Sequence, residues 1–178
     1  MTIESFDGKT PQLGERVFVA PMAYINGDIT IGDDSSVWPG VVIRGDMHWV
    51  KIGSRTSVQD GSVLHTTHKG QFSNGHPLSI GDQVTIGHMV CLHGCTIGNK
   101  VLVGIGAKVL DGAVVEDKVV IAAGSLVPPG KRLESGFMYM GSPVKQTRPL
   151  TQKELDFFEY TTDHYVRTKD KYLAEMGQ

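Results

Sequence analysis

Aliphatic residues recur at every sixth position along most of the chain: Val19, Ile25, Ile31, Val37 and Ile43; Ile52, Val58 and Leu64; Ile80, Ile86 and Leu92; then Ile97, Val103, Val109, Val115, Ile121 and Val127. The next position is often glycine (Gly32, Gly53, Gly81, Gly87, Gly98, Gly104), and the fifth is small or valine (Ser35, Thr56, Ser62, Val84, Val90, Thr96, Ala107, Ala113, Ser125). An amphipathic helix needs a period near 3.6, which this pattern lacks. Six-residue units with an inward aliphatic, a corner glycine and a small inward residue predict an all-β solenoid, a parallel β-helix. Three hexads close one triangular coil, so residues eighteen apart stand in register, about 4.8 Å from each other like neighbouring strands of a sheet. Seventeen hexad starts predict nearly six coils.

Three breaks interrupt the repeat and predict surface loops or distortions. Ile43 to Ile52 gains three residues around Asp46-Met47-His48-Trp49, Leu64 to Ile80 gains ten over residues 66–79, and Leu92 to Ile97 loses one after His93. Corrected for these, Ile43, Leu64 and Leu92 share a wall, and Arg44, His65 and His93 form one vertical column. Two imidazoles stacked in this way suggest half a metal site. His88 belongs to the preceding hexad, is expected beside Gln59 and Asp60 of the coil below, and points across a corner of the triangle.

Composition narrows the classes. At 178 residues one domain is expected, with a solenoid and its exit segment over residues 1–149 and a helix packed on it over residues 150–178. A hydrophobic content of 40%, a charged content of 20% and a net charge of -2 argue against disorder and against an electrostatic nucleic-acid surface. No apolar run is long enough for a membrane span, and residues 1–13 carry Glu4 and Asp7 without the apolar stretch of a secretory signal, so a cytoplasmic location is expected. Cys91 and Cys95 flank His93 and are expected to be small core thiols rather than soft metal ligands.

Pro128-Pro129-Gly130-Lys131 is expected to end the repeat, and Gly141-Ser142-Pro143 to turn the chain out of it. Thr151-Gln152-Lys153-Glu154 reads as a capping box opening a helix with Leu155, Phe158, Thr162, Tyr165 and Tyr172 on one face. That face must bury against its own solenoid wall or a neighbour's.

Four of the seven histidines, His48, His68, His76 and His164, fall in loops or on the helix and are expected to be solvated, although His68 and His76 lie on the loop that leaves the coil after His65. The other three, His65, His88 and His93, match the donor set of catalytic zinc: three neutral imidazoles with an open fourth position and bonds of about 2.0–2.1 Å. If His88 cannot reach the ion shared by His65 and His93 within one chain, a second chain must supply it. A homotrimer with a site at each subunit interface satisfies all three walls of the prism.

The repeat, Arg44-Gly45-Asp46, Val58-Gln59-Asp60-Gly61, Leu64-His65, and Gly87-His88 followed by Leu92-His93-Gly94 resemble the γ-class carbonic anhydrases, and within them the short bacterial YrdA-like branch, which also has the Gly141-Ser142-Pro143-Val144-Lys145 exit and a C-terminal helix. The resemblance covers essentially the whole chain. It implies a left-handed β-helix, although general crossover rules favour the opposite hand. It also implies a homotrimer, with zinc, or alternatively iron or cobalt, held by His65 and His93 of one subunit and His88 of the next. The implied reaction is the reversible hydration of carbon dioxide to bicarbonate by hydroxide generated at the metal. Gln59 matches the family residue beside the metal-bound water. Arg44 and Asp46 match an interface pair, with Arg44 suited to an ion pair or to bicarbonate. Asp60 is suited to orienting its neighbours or to an intersubunit ion pair, and Tyr165 resembles a tyrosine that approaches the pocket, where it can equally serve packing.

Two departures stand out. Met47 occupies the place where the family prototype has glutamate, and residues 66–79 hold no counterpart of its acidic loop with the proton-shuttle glutamate. Imidazole titrates near neutrality, so His68 or His76 is a candidate substitute, and weak or conditional activity is expected. Two alternatives remain at this stage: a hexapeptide acyltransferase with a single general-base histidine and a coenzyme A or carrier-protein donor, and a non-catalytic trimeric metal-binding scaffold.

Overall fold

The computed structural model describes residues 2–177. The inward aliphatics stack into three walls of parallel strands, each in register from coil to coil. The first wall stacks Ile3, Ile25, Ile43, Leu64, Leu92, Val109 and Val127. The second stacks Leu13, Ile31, Ile52, Ile80, Ile97, Val115 and Leu133. The third stacks Val19, Val37, Val58, Ile86, Val103, Ile121 and Tyr139. Almost all of these side chains are withdrawn from water into one continuous core, each such burial being worth about 1.5–3 kcal/mol.

The solenoid is longer than the hexad count: seven coils rather than nearly six. At its lower end Ile3 and Leu13 add strands before Val19. At its upper end Pro128-Pro129 does not stop the repeat, because the six-residue spacing continues through Leu133 and Tyr139. The prolines occupy a corner turn, where a missing N–H removes no bond from a wall ladder. The small inward positions are filled as expected except at Thr96, which is exposed. The missing residue falls just after His93, so Cys95 takes the inward seat instead.

Both insertions are ordered differently from simple loops. Residues 46–49 belong to one long strand, Val42–Ile52, which bends from the first wall to the second beside Tyr24–Ile31, with a register shift between Gly27 and Ile29. The larger insertion folds as an antiparallel hairpin, Thr67–Gly70 with Ser73–His76, whose tip presents Phe72 to solvent. Beyond the last coil, Phe137–Gly141 doubles back antiparallel on Val144–Pro149.

The helix, Gln152–Glu175, lies against the third wall of its own chain. Tyr172 packs on Phe18 and Trp38 with ring centroids 5.4 Å from each, and Tyr165 meets Trp38 edge-on at 6.2 Å. Phe158, Thr161 and Thr162 are buried, and so, unexpectedly, is Lys169. Its ammonium is paired on this face by two carboxylates, the adjacent Asp170 at 2.5 Å and Asp34 at 3.1 Å, the latter in a left-handed corner conformation (φ 57) and bound to Arg16. Arg55 from the same corner column holds Asp163 of the helix.

The capping box forms as expected: the Thr151 side chain accepts from Glu154 N–H, and Glu154 accepts from Thr151 N–H. A bidentate ion pair from Arg148, followed by the Thr151 backbone bond, takes the Glu154 carboxyl from its ordinary value near 4.5 down to about 2. A folded value below the unfolded one gives stability that is complete above pH 4.5 and lost as pH falls toward 2. Glu154→Gln therefore flattens the acid limb of a stability-against-pH curve. At neutral pH this solvent-facing group costs no more than about 1 kcal/mol in urea denaturation.

Candidate metal centre

The first wall carries chemistry on both of its edges. At the trailing edge, strands Val63–His65 and Cys91–His93 pair in register, so His93 lies over His65. Because Ile43 pairs with Leu64, Arg44 falls beneath His65, completing the expected column. The imidazoles are 5.1 Å apart between centroids, and His65 Nδ1 faces His93 Nε2 at 3.1 Å. The other nitrogen of each ring is held by a carboxylate: His65 Nε2 lies 3.0 Å from Asp46, and His93 Nδ1 lies 2.6 Å from Asp111. Arg44 sits beside the lower ring, 2.9 Å from His65 Nε2 and 3.1 Å from Asp46.

At the leading edge, His88 occupies the corner turn between Thr85–Ile86 and Cys91–His93. Its Nδ1 lies 3.0 Å from Asp60 of the coil below, as the register predicts. The neighbouring Met89 adopts a left-handed conformation (φ 56) that Gly40, Gly61, Gly106 and Gly124 also hold, an exposed methionine among glycines. A groove of about 400 Å³ opens here, lined by His88, Gln59, Tyr165, Phe157, Val103 and Ile105 among others. The buried Gln59 and Tyr165 line the same groove. Burial, helped by the Asp60 charge, pushes the Tyr165 phenol up, and Gln59 pulls it partly back.

The site residues therefore form two half-sites: Arg44, Asp46, His65 and His93 on one edge, and Gln59, Asp60, His88 and Tyr165 on the other. His88 and His93 are five positions apart, a reach of up to about 17 Å in extended chain. Among the described residues no group of three His, Cys, Asp or Glu side chains forms a metal site within the chain.

The donor chemistry fits a metal ion. A carboxylate only accepts, so Asp111 places a proton on His93 Nδ1 and leaves its Nε2 a lone pair; His65 Nε2 lies between an acceptor, Asp46, and a donor, Arg44, and when its proton faces Asp46 the Nδ1 lone pair turns toward His93. Two nitrogens bound to one tetrahedral ion lie about 3.3–3.4 Å apart, close to the 3.1 Å between His65 Nδ1 and His93 Nε2. Burial, with the charges of Arg44 and His93, pushes the His65 imidazole down against the pull of Asp46, and keeps it in the neutral form that a ligand needs. The cysteines are thiols at neutral pH: burial pushes up Cys95 strongly and Cys91 as well.

Asp111 was not among the expected residues, although the register offered a signal, since Leu110 stands over His93 and the aspartate follows it. Two histidines expected to be solvated are partly buried at the site's margin. His76 lies at the base of the hairpin, and His48 accepts a hydrogen bond from Trp49 N–H beneath Gly75. His68 is exposed on the hairpin, and His164 stacks on Tyr160 and meets Tyr165 edge-on along the helix. Met47 faces solvent beside Asp46.

Fold and half-sites together define a hexapeptide solenoid with paired histidine edges. The family model described as bacterial transferase hexapeptide (six repeats) matches residues 10–45 and 94–129. Protein YrdA of Escherichia coli is 56% identical over 169 residues, covering 94% of this chain and 92% of the relative. A carbonic anhydrase of Geobacillus kaustophilus is 39% identical over 176 residues, covering 99% and 93%. The crystal structure of a hexapeptide transferase family protein from Anaplasma phagocytophilum superposes with a TM-score of 0.89 at 36% identity, covering 97% of this chain and 98% of that one. The chain belongs to the hexapeptide-repeat family of YrdA and the γ-class carbonic anhydrases.

Proposed function

We propose that the protein is a metal-dependent, γ-class carbonic anhydrase-like enzyme that hydrates carbon dioxide reversibly and works as a homotrimer. The observation that carries this is the pair of half-sites on opposite edges of one wall, each incomplete by itself. Head-to-tail association that closes into a ring sets one chain's leading edge against the next chain's trailing edge. His65 Nδ1 and His93 Nε2 of one subunit and His88 of the next then hold the ion, with Asp46, Asp111 and Asp60 each fixing the ligand nitrogen that stays free. Zinc, ferrous iron and cobalt all suit three imidazoles.

When bound, the ion supplies a Lewis acid that lowers the pKa of water from 15.7 to about 7. Gln59, held in the groove beside Tyr165, offers its amide to orient an oxygen of substrate or product. Arg44 brings a permanent positive charge for bicarbonate and is paired with the carboxylate of Asp46. Val103 and Ile105 give the groove an apolar side that suits uncharged carbon dioxide.

Proton export is the weak link, since Met47 cannot exchange a proton. Of the two loop histidines, His76 is the better placed, at the hairpin base rather than toward its tip. General acid–base assistance is typically worth about 10²–10⁴-fold, so hydration is slow. Stopped-flow hydration with protein reconstituted with zinc or ferrous iron shows a rate above buffer; no such rate with either metal removes the enzyme assignment. Met47 also favours a second reading, a trimeric metal-binding scaffold for a small anion, whose mark is full metal loading without turnover.

A further inference from the structure

Asp111 joins three segments that are remote in sequence. One carboxylate oxygen accepts from His93 Nδ1–H at 2.6 Å, and the other accepts from the Thr67 hydroxyl at 2.7 Å. Thr67 is paired with His76 at the base of the hairpin. Gly94, in a left-handed conformation (φ +52), makes room for this junction: a Cβ there would lie 2.5 Å from Asp111 Oδ1 and 2.7 Å from His76 Cβ. The His76 ring also lies over Gly112, where a Cβ would be 3.3 Å from its Cε1. A histidine ligand, the coil above it and the base of the insertion therefore meet at one acceptor.

The other two carboxylate–histidine pairs lack this reach. Asp46 is shared with Arg44 on its own strand, and Asp60 lies on a half-exposed corner with His88. We propose that Asp111 is a positioning residue that fixes the Nδ1–H tautomer of His93 for metal binding and, through Thr67, couples the order of the hairpin to occupancy of the centre. The proposal rests on the metal-centre reading above. A cation on Nε2 makes Nδ1–H a stronger donor, which tightens its bond to Asp111 and holds the carboxylate in place for Thr67. The hairpin becomes a strap over the site, firm with metal and looser without it.

The test compares wild type, Asp111→Asn and Thr67→Val. Zinc affinity is measured by chelator competition, the ligand field by cobalt(II) absorption, and exchange of the amides of residues 67–76 with and without zinc. Asp111→Asn is expected to weaken zinc binding by roughly 10- to 100-fold and to alter the cobalt spectrum. In wild type, zinc slows exchange in the hairpin. Thr67→Val loses that slowing and, because coupling is reciprocal, weakens zinc binding as well, but by less than Asp111→Asn and with the cobalt spectrum unchanged. Normal zinc affinity and an unchanged cobalt spectrum in Asp111→Asn overturn the positioning role, and hairpin exchange indifferent to zinc in wild type overturns the coupling. A wild-type protein that takes up no zinc at all is a different result, which overturns the metal-centre reading and this proposal with it.

Discussion

Replacing His65, His88 or His93 by alanine, one at a time, abolishes metal loading in every case. Each removes one of three nitrogen donors, a larger loss than the roughly 10- to 100-fold that removal of an outer partner costs. The fold should survive the changes, because all three rings lie at the edges of the first wall rather than in the aliphatic core. His88 is the most informative of the three, since it sits in a corner turn apart from the other two. If each centre is shared between subunits, His65→Ala and His88→Ala trimers repair one another after unfolding and refolding together. Random mixing then restores about one site in four, because a site is intact only where a subunit with His65 and His93 meets a neighbour with His88. Elemental analysis combined with mass in solution reads both effects. Stoichiometric metal in all three single variants, or no recovery on mixing, contradicts the shared centre.

Gly53→Ala is expected to destabilise the protein by about 3 kcal/mol or more, at or beyond the usual range for overpacking. A Cβ at Gly53 would lie 2.5 Å from the carbonyl carbon of Gly81 and 2.3 Å from Asp82 Oδ1 on the coil above. That aspartate is part of a corner ladder in which Asp33, Asp82, Asn99 and Asp117 each accept a backbone N–H from the coil below at 2.7–2.9 Å. The added carbon must therefore push two coils apart or break the ladder. Gly124 is the control: its φ is +67, but a Cβ there meets nothing within 4 Å. Gly124→Ala carries only the left-handed backbone cost of roughly 1–2 kcal/mol. Urea denaturation separates the two, and a Gly53→Ala midpoint no lower than that of Gly124→Ala refutes the close-contact argument.

The core was legible because a solenoid converts sequence separation into height. Once Leu64 and Leu92 are assigned to one wall, the strands must place His93 over His65, and they do. The same rule put His88 beside Asp60. Misreadings arose where local signals competed with the period. Pro128-Pro129 looked like a terminator, yet corners tolerate proline, and the missing residue after His93 moved the inward seat from Thr96 to Cys95. Lys169 broke the helical apolar pattern because its ammonium is held between the adjacent Asp170 and Asp34, and Asp34 lies on a distant coil that the helical spacing does not reveal.

The sequence by itself determined the coil, its register, the column of His65 and His93 and the place of His88 beside Asp60, because the interstrand ladder repeats at a fixed period that the aliphatic spacing records. Tertiary structure alone decided which imidazole nitrogens face each other, that Asp111 completes His93, and that residues 67–76 fold as a hairpin joined to that aspartate. These depend on side-chain rotamers and on an insertion outside the repeat, both settled by packing between segments with no periodic relation to one another.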